Sequence, residues 1–236
     1  MNNGGPVAMT ARAFLPTAMD QLPSEIPIFP LTGALLLPLG HLPLNIFEPR
    51  YVSMVTDALQ TPQRLIGMVQ AADLNVSMGE APVHTLGCAG RLSAYSENDD
   101  GTILITLTGV IRFEIGEELD LARGGYRLIR PDYSRFAADL SPDLPSSDEE
   151  DTLRVSVIDA TKRYFEAKGY NTDWEGINGL GLVELITSLG MACPFDPMEK
   201  QALLEAESVQ ERAKTLTQIM TMATLGDSFE SNAAVN

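Results

Sequence analysis

Two hydrophobic periods divide this chain of 236 residues. Up to about residue 133, apolar positions come in short runs or alternate with polar ones, as strands with one buried face require. Ile26 to Leu31 and Ala34 to Leu37 read as short apolar strands with their prolines at ends or edges. Pro49 suits the first position of a helix running to about Gln60, and Tyr51, Met54, Val55, Ala58 and Leu59 make its apolar stripe. Leu65 to Gln70 reads as the next strand. Gly87 to Ser96 and Thr102 to Leu107 then form a hairpin across Glu97-Asn98-Asp99-Asp100-Gly101, where Gly101 supplies the positive φ of a tight turn. In the second of these strands Ile103, Ile105 and Leu107 alternate with Thr102, Leu104, Thr106 and Thr108. Ile111, Phe113 and Ile115 alternate with Arg112 and Glu114 in a further strand, and Gly124-Gly125 turns the chain into Tyr126 to Pro131. Short strands with one inserted helix predict a compact barrel-like β-fold.

Beyond Ser134–Ser147 the period becomes helical. Four helix starts carry capping-box spacing: Ser147 with Glu150, Thr172 with Glu175, Asp196 with Glu199, and Ser208 with Glu211. Pro197 at a first helical position supports the third. Gly169, Gly190 and Gly226 sit where helix C-terminal caps are expected. Val209, Ala213, Leu216, Met220 and Ala223 make one face of the last helix. The expected organisation is a weakly ordered head over 1–21, a β-subdomain over 22–133, a linker over 134–147 with Ser/Pro/Asp chemistry, a helical subdomain over 148–226, and a tail over 227–236. The fold class is α+β.

Charge narrows the partners. Lys+Arg number 16 against 32 Asp+Glu, a formal net charge of −16. The first 133 residues carry 8 basic and 14 acidic side chains, net −6, and the remainder 8 and 18, net −10. Such a field repels phosphate backbones and anionic lipid. The longest apolar stretch, Ala34 to Leu44, is interrupted by Pro38, Gly40 and Pro43 and is too short to span a bilayer. The head lacks the continuous apolar region of a signal peptide. Two cysteines, Cys88 and Cys193, are too few for a disulfide framework, so reduced thiols and a cytoplasmic location are expected.

Candidate chemistry is sparse. There is no GxxxxGK[ST] and no GxGxxG; Gly87-Cys88-Ala89-Gly90 and Gly179-Leu180-Gly181 shape a strand entry and a helix junction. His41 and His84 are the only histidines, and Cys88 four residues past His84 gives two ligands at most, short of a zinc site. The acidic run Asp148 to Asp151 lacks calcium-loop spacing and complements a helix dipole. No GxSxG occurs, and Cys88 near His84 is the one local nucleophile candidate, read as a buried thiol. Glu48 and Arg50 are expected to cap and pin the helix after them, and Trp174 to anchor helices together. No catalytic residue, cofactor or metal is assigned.

One block does carry family information. Phe29-Pro30-Leu31, followed by Pro43-Leu44-Asn45-Ile46-Phe47-Glu48-Pro49-Arg50-Tyr51, resembles the amino-terminal, substrate-binding domain of Lon proteases. Gly87 to Leu92, Asp100-Gly101-Thr102, Gly109-Val110-Ile111-Arg112-Phe113, Glu199 to Glu205 and Glu211-Arg212 extend that resemblance over roughly 22–225. It implies a PUA-like β pseudo-barrel with one inserted helix and a C-terminal helical bundle. It also implies a stand-alone bacterial member, because the ATPase and serine–lysine peptidase modules of Lon do not follow before Asn236.

The function the resemblance implies is non-catalytic recognition of unfolded or partly folded polypeptides, or of one partner protein, with no membrane and no nucleic acid. Leu35, Leu36, Leu37, Leu39, His41 and Leu42 are the candidate contact surface; the competing reading places these leucines in the core. The block residues Phe29, Pro30, Leu31, Pro43, Leu44, Ile46, Phe47, Glu48, Pro49, Arg50 and Tyr51 are expected to be structural. A small hydrolase is the alternative, and it requires a cluster of perturbed titratable groups. A third reading, RNA binding through the PUA-like barrel, rests on Arg123, Arg127 and Arg130.

Overall fold

The computed structural model describes residues 15–72, 81–141 and 145–233, with side chains described as far as residue 225. Most of the expected head, part of the expected linker and the last three residues of the tail lie outside the described residues.

Six strands form one mixed sheet: β1 (Ile26–Pro30), β2 (His41–Ile46), β3 (Leu65–Val69), β4 (Leu86–Glu97), β5 (Ile103–Glu118) and β6 (Arg127–Asp132). β1 pairs in parallel with β3; β3–β4 and β4–β5 are antiparallel. β6 closes the ring by pairing with β1 through Ile26↔Ile129 and with the far half of β5 through Glu118↔Ile129. The result is a five-stranded pseudo-barrel. β2 lies outside the ring, on the near half of β5, in the register His41↔Thr108 to Ile46↔Ile103. The turn between β4 and β5 places Gly101 at φ +82°, as the tight hairpin requires.

The connection 31–40 differs from expectation. Ala34 to Leu37 form no strand; they run as a loop with Leu35, Leu36 and Leu37 buried. The loop lies so close to β5 that a Cβ on Gly109 would meet the Leu37 carbonyl oxygen at 2.0 Å. Only glycine permits that approach. The strands expected at 102–107 and 111–115 are therefore one continuous β5. After β2 comes α1 (Pro49–Leu59), with Pro49 in its first turn. Glu48 makes no side-chain cap; its carboxylate instead accepts from Arg50 Nη2 at 2.7 Å. Arg50 lies 4.7 Å from the Tyr51 ring centroid, and Tyr51 packs on Phe29 at 4.3 Å. The block is thus a brace that fixes the exit of β2.

Residues 134–140, expected to begin a linker, form a short 3-10 helix with Phe136 buried. The helical half comprises α2 (Ser147–Lys168), α3 (Trp174–Gly179), α4 (Leu182–Ala192), α5 (Pro197–Glu205) and α6 (Val209–Ala233). Asp196 and Glu199 form the full reciprocal capping box. The other starts differ in detail: Ser147 makes no cap, Asp173 rather than Thr172 accepts from Glu175 N–H, and Ser208 accepts from Glu211 N–H while the Glu211 carboxylate reaches Glu207 N–H. Gly169 caps α2 at φ +68°. Gly190 lies inside α4, packed by Leu203 and Leu37, and Gly226 lies inside α6, so neither ends a helix. Leu153, Val157, Ala160 and Tyr164 of α2 are buried, as are Ala213, Leu216 and Met220 of α6. Among the described residues no helix is long and apolar enough to cross a membrane.

Polar contacts dock this helical half onto the barrel. Arg112, expected on the polar side of its strand, is only 3% exposed. Its Nε and Nη2 donate to the two Asp139 oxygens at 2.9 Å each, and its Nη1 donates to the Leu204 carbonyl at 3.0 Å and to the Ala206 carbonyl. Gln70 donates to the Pro197 carbonyl at 2.8 Å, and Lys200 Nζ to the Gly33 carbonyl at 2.7 Å. The Phe136 ring stacks 4.8 Å from the Arg112 guanidinium.

Candidate functional site

The face of the sheet formed by β2, the near half of β5 and β4 is where apolar side chains reach solvent together. β2 alternates cleanly: His41, Pro43 and Asn45 are exposed, while Leu42, Leu44 and Ile46 turn inward. Across the ladder, Asn45 pairs with Leu104 and Pro43 with Thr106; on the next strand Ser96 pairs with Leu104 and Ala94 with Thr106. Leu104 is 48% exposed on this face; Tyr95, 41% exposed, pairs with Ile105 and turns its ring to the opposite face. These residues line an open groove of about 500 Å³, mostly apolar: Pro43, Leu44, Ala94, Tyr95, Leu104 and Ile105, with Asn45, Ser96 and Thr106 between them. At the end nearest the β4–β5 turn, Phe47 follows directly on β2 and is 68% exposed.

A polar chain marks the other end. His41 Nδ1 lies 3.0 Å from Thr108 Oγ1, Thr108 Oγ1 donates to Ser93 Oγ at 2.9 Å, and Ser93 Oγ donates to the Thr106 carbonyl at 3.0 Å. An apolar centre with a hydrogen-bonding rim is the anatomy of a protein-contact surface. β2 is also the free edge of the sheet. Gly109 N–H donates to the Gly40 carbonyl, so by strand alternation Leu42, Leu44 and Ile46 turn their main chain to β5 and His41, Pro43 and Asn45 turn theirs outward. Pro43 thus removes one N–H from the free edge and discourages strand addition there.

The sequence-derived candidates divide. Leu35, Leu36 and Leu37 belong to the core, which removes them from any contact surface. Leu39 is half-buried with φ +67°, while His41 and Leu42 flank the groove on β2. Of the block residues, Phe29, Ile46 and Tyr51 are core, Pro30 ends β1, Leu31 packs against the core, Pro43 and Leu44 line the groove, and Phe47 projects beside it. Leu104 and Tyr95 were missed. The signal for Leu104 was present: it is a leucine on the polar side of an alternating strand.

Other candidate chemistry loses its footing. Cys88 is fully buried, and burial pushes its thiol well above the ordinary range, as it pushes Cys193 up to about 12. Both cysteines are free. Among the described residues no group of three His, Cys, Asp or Glu side chains could hold a metal ion. Two of the three arginines offered for RNA are committed elsewhere: Arg127 pairs with Glu118 at 2.6 Å, and Arg130 pairs with Glu117 and with Glu25 at 3.2 Å. A second concavity of about 330 Å³ lies among Lys162, Phe165, Glu166, Tyr170 and Trp174, where Trp174 packs on Phe165 at 5.9 Å as an anchor between helices.

Comparison with known proteins agrees with this architecture. The model of the ATP-dependent protease La (LON) substrate-binding domain matches residues 25–222. Lon protease 1 of Syntrophotalea carbinolica is 29% identical over 135 residues, covering 57% of this chain and 16% of that protein. Lon protease of Flavobacterium johnsoniae is 24% identical over 202 residues, covering 82% of this chain and 23% of that protein. The chain therefore spans less than a quarter of the length of either relative. Among solved structures, the N-terminal domain of Mycobacterium avium complex Lon protease superposes with a TM-score of 0.61 at 16% identity, covering 84% of this chain and 98% of that one. A Lon N-terminal domain protein from Xanthomonas campestris gives 0.54 at 19% identity, covering 81% and 96%. At these identities the structural likeness is one of fold.

Proposed function

This chain belongs to the ATP-dependent protease La (LON) substrate-binding domain family, and from that premise we propose that it is a recognition module, binding segments of other polypeptides without transforming them. The contact surface is the groove between β2, β5 and β4. The observation that carries this reading is the exposure of Leu104 between Pro43 and Ala94 in one open, mostly apolar concavity, with Phe47 exposed just past the end of β2. Large apolar side chains gathered at a concave surface mark an interaction site, whereas scattered ones do not. The lining contains no histidine, cysteine, lysine or carboxylate, so Ser96 and Thr106 have no base beside them within it. That composition supports binding over turnover.

The test is fluorescence anisotropy of a labelled, permanently unfolded model protein titrated with the full chain, without nucleotide. Saturable binding with the label left intact is expected. Leu104→Asp places a charge in the groove at a half-exposed position, so the fold should survive, which circular dichroism and the urea midpoint check. Binding should weaken about tenfold, equivalent to ~1.4 kcal/mol. Unchanged affinity in that variant would remove the groove from the proposal, and no binding by the parent chain at high micromolar concentration would remove the function.

A further inference from the structure

We infer that the helical half carries a contact site of its own, an aromatic cup at the end of α2 that takes the phenol or indole ring of a polypeptide side chain. It lies on a different element from the groove and stands or falls apart from it.

Two helix boundaries build the cup. Gly169, at φ +68°, ends α2, and Tyr170 N–H donates to the Phe165 carbonyl at 2.8 Å. Such a cap folds the residue after the glycine back over the last turn, which brings the Tyr170 ring onto Phe165. Asp173 then accepts from Glu175 N–H and starts α3, whose first residue is Trp174. Phe165 is the floor. Tyr170 stands edge-on to it at 5.7 Å and 80°, and Trp174 leans on it at 5.9 Å and 49°. Among the described residues no ring contact joins Tyr170 to Trp174, and the concavity of about 330 Å³ lies against all three rings. Tyr170 is 43% exposed, while Phe165 and Trp174 are half-buried. Both ring contacts have ordinary aromatic spacing, so a further ring can extend the cluster in the same way. No side chain of α3 is buried, which leaves the Trp174 wall free to adjust to an occupant.

The rim names the occupant. Lys162 and Glu166 complete the lining, both exposed and one turn apart on α2. Lysine four residues before glutamate is the poorer order for an ion pair on a helix. Among the described residues neither side chain makes one, and Lys162 does not lie over a ring. An unpaired ammonium and an unpaired carboxylate at the mouth of an aromatic cup complement one kind of group. Its ring face, which is negative, meets the ammonium, and its positive edge or its own O–H or N–H meets the carboxylate. A phenol or an indole offers both. A cationic side chain would be set against Lys162, an anionic one against Glu166, and an aliphatic one would use neither.

Trp174 is the one tryptophan of the chain, so a fluorotryptophan label gives a single fluorine NMR signal at the wall of the cup. The labelled full chain is titrated with the blocked tripeptides Gly-Tyr-Gly, Gly-Phe-Gly and Gly-Leu-Gly. The tyrosine peptide should move the signal saturably and bind roughly tenfold more tightly than the leucine peptide and about threefold more tightly than the phenylalanine peptide. Glu166→Ala should abolish the preference for tyrosine over phenylalanine, and Lys162→Ala should weaken both aromatic peptides about threefold. Both positions are exposed on a helix, so circular dichroism should show each variant folded. Equal affinity for the tyrosine and leucine peptides, or a signal unmoved up to the solubility limit, would overturn the inference. A tyrosine preference that survives Glu166→Ala would overturn the role of the rim. Free L-tyrosine binding more tightly than its blocked peptide would make a free amino acid the ligand and overturn the polypeptide occupant.

Discussion

At the scale of single residues, the groups that titrate are mostly groups the fold hides. Burial lifts the phenols of Tyr51, Tyr126 and Tyr133; Tyr126 reaches about 12, with the Asp57 carboxylate that accepts from it adding to the rise. The unfolded chain releases these protons near pH 10 and the folded chain keeps them, so their contribution is intact below that pH and is lost as pH climbs through the folded values. The buried Cys88 and Cys193 act in the same direction from about pH 9. Arg212 opposes them: burial lowers it to about 10, the folded chain sheds its proton first, and that contribution rises above pH 10. Arg91, also lowered by burial, acts with Arg212, but the buried phenols and thiols outnumber the two arginines and predict a urea midpoint that falls between pH 9 and 11. Tyr133 isolates the effect, because its hydroxyl is buried without a hydrogen-bond partner. Tyr133→Phe should raise stability at pH 7 by about 1 kcal/mol and shallow the alkaline slope. Gly109→Ala should do the reverse. Its new methyl meets the Leu37 carbonyl, and about 1–3 kcal/mol of stability should be lost in chemical denaturation.

At the scale of elements, legibility followed how local the cause is. The α1 stripe, the hairpin glycine and the Asp196–Glu199 box were readable because residues within a few positions determine them. Asp196 therefore carries a definite expectation. Asp196→Ala removes the acceptor for Glu199 N–H, loosens the start of the helix whose Gln201 donates to the Leu86 carbonyl, and should cost about 1 kcal/mol in urea unfolding. The 31–40 loop was misread because an apolar run with prolines looks the same as a strand or as a loop wedged into a core; only the Gly109 approach distinguishes them. β2 was not recognised as a strand, yet its alternation of exposed and inward residues is complete. Phe47 was legible as part of a family block but not as an exposed ring, since exposure depends on where β2 ends relative to the β4–β5 turn. Two-thirds of the groove lining comes from β4 and β5, some fifty to sixty residues further along the chain, and no local pattern joins them to β2.

At the scale of the whole molecule, Arg112 decides whether the barrel and the helical half behave as one body. It reads in sequence as an outward strand residue because alternation assigns it to the face opposite Phe113. That face is covered by the 134–140 helix and the end of α5, and Arg112 lies beneath them. Its guanidinium joins Asp139 to the Leu204 and Ala206 carbonyls, so one side chain ties β5 to two later segments. A buried charge pair of this kind contributes little net stability against an apolar replacement, but removing one partner strands the other. Asp139→Ala should therefore destabilise by about 3–5 kcal/mol, whereas Arg112→Met combined with Asp139→Leu should recover much of that loss. Arg112→Lys with Asp139 intact should also destabilise, because an ammonium cannot serve two carboxylate oxygens and two carbonyls in the fixed geometry of the fork. Trp174 fluorescence reports on the helical half, and far-ultraviolet circular dichroism on both. In the parent chain the two signals should lose amplitude at one urea concentration. In Asp139→Ala the helical half loses its anchor and the transitions should separate, with Trp174 responding first. Coincident transitions in that variant would show that Gln70, Lys200 and the packing around Leu37 suffice to hold the halves together, and that Arg112 sets the alignment of the junction and not its strength.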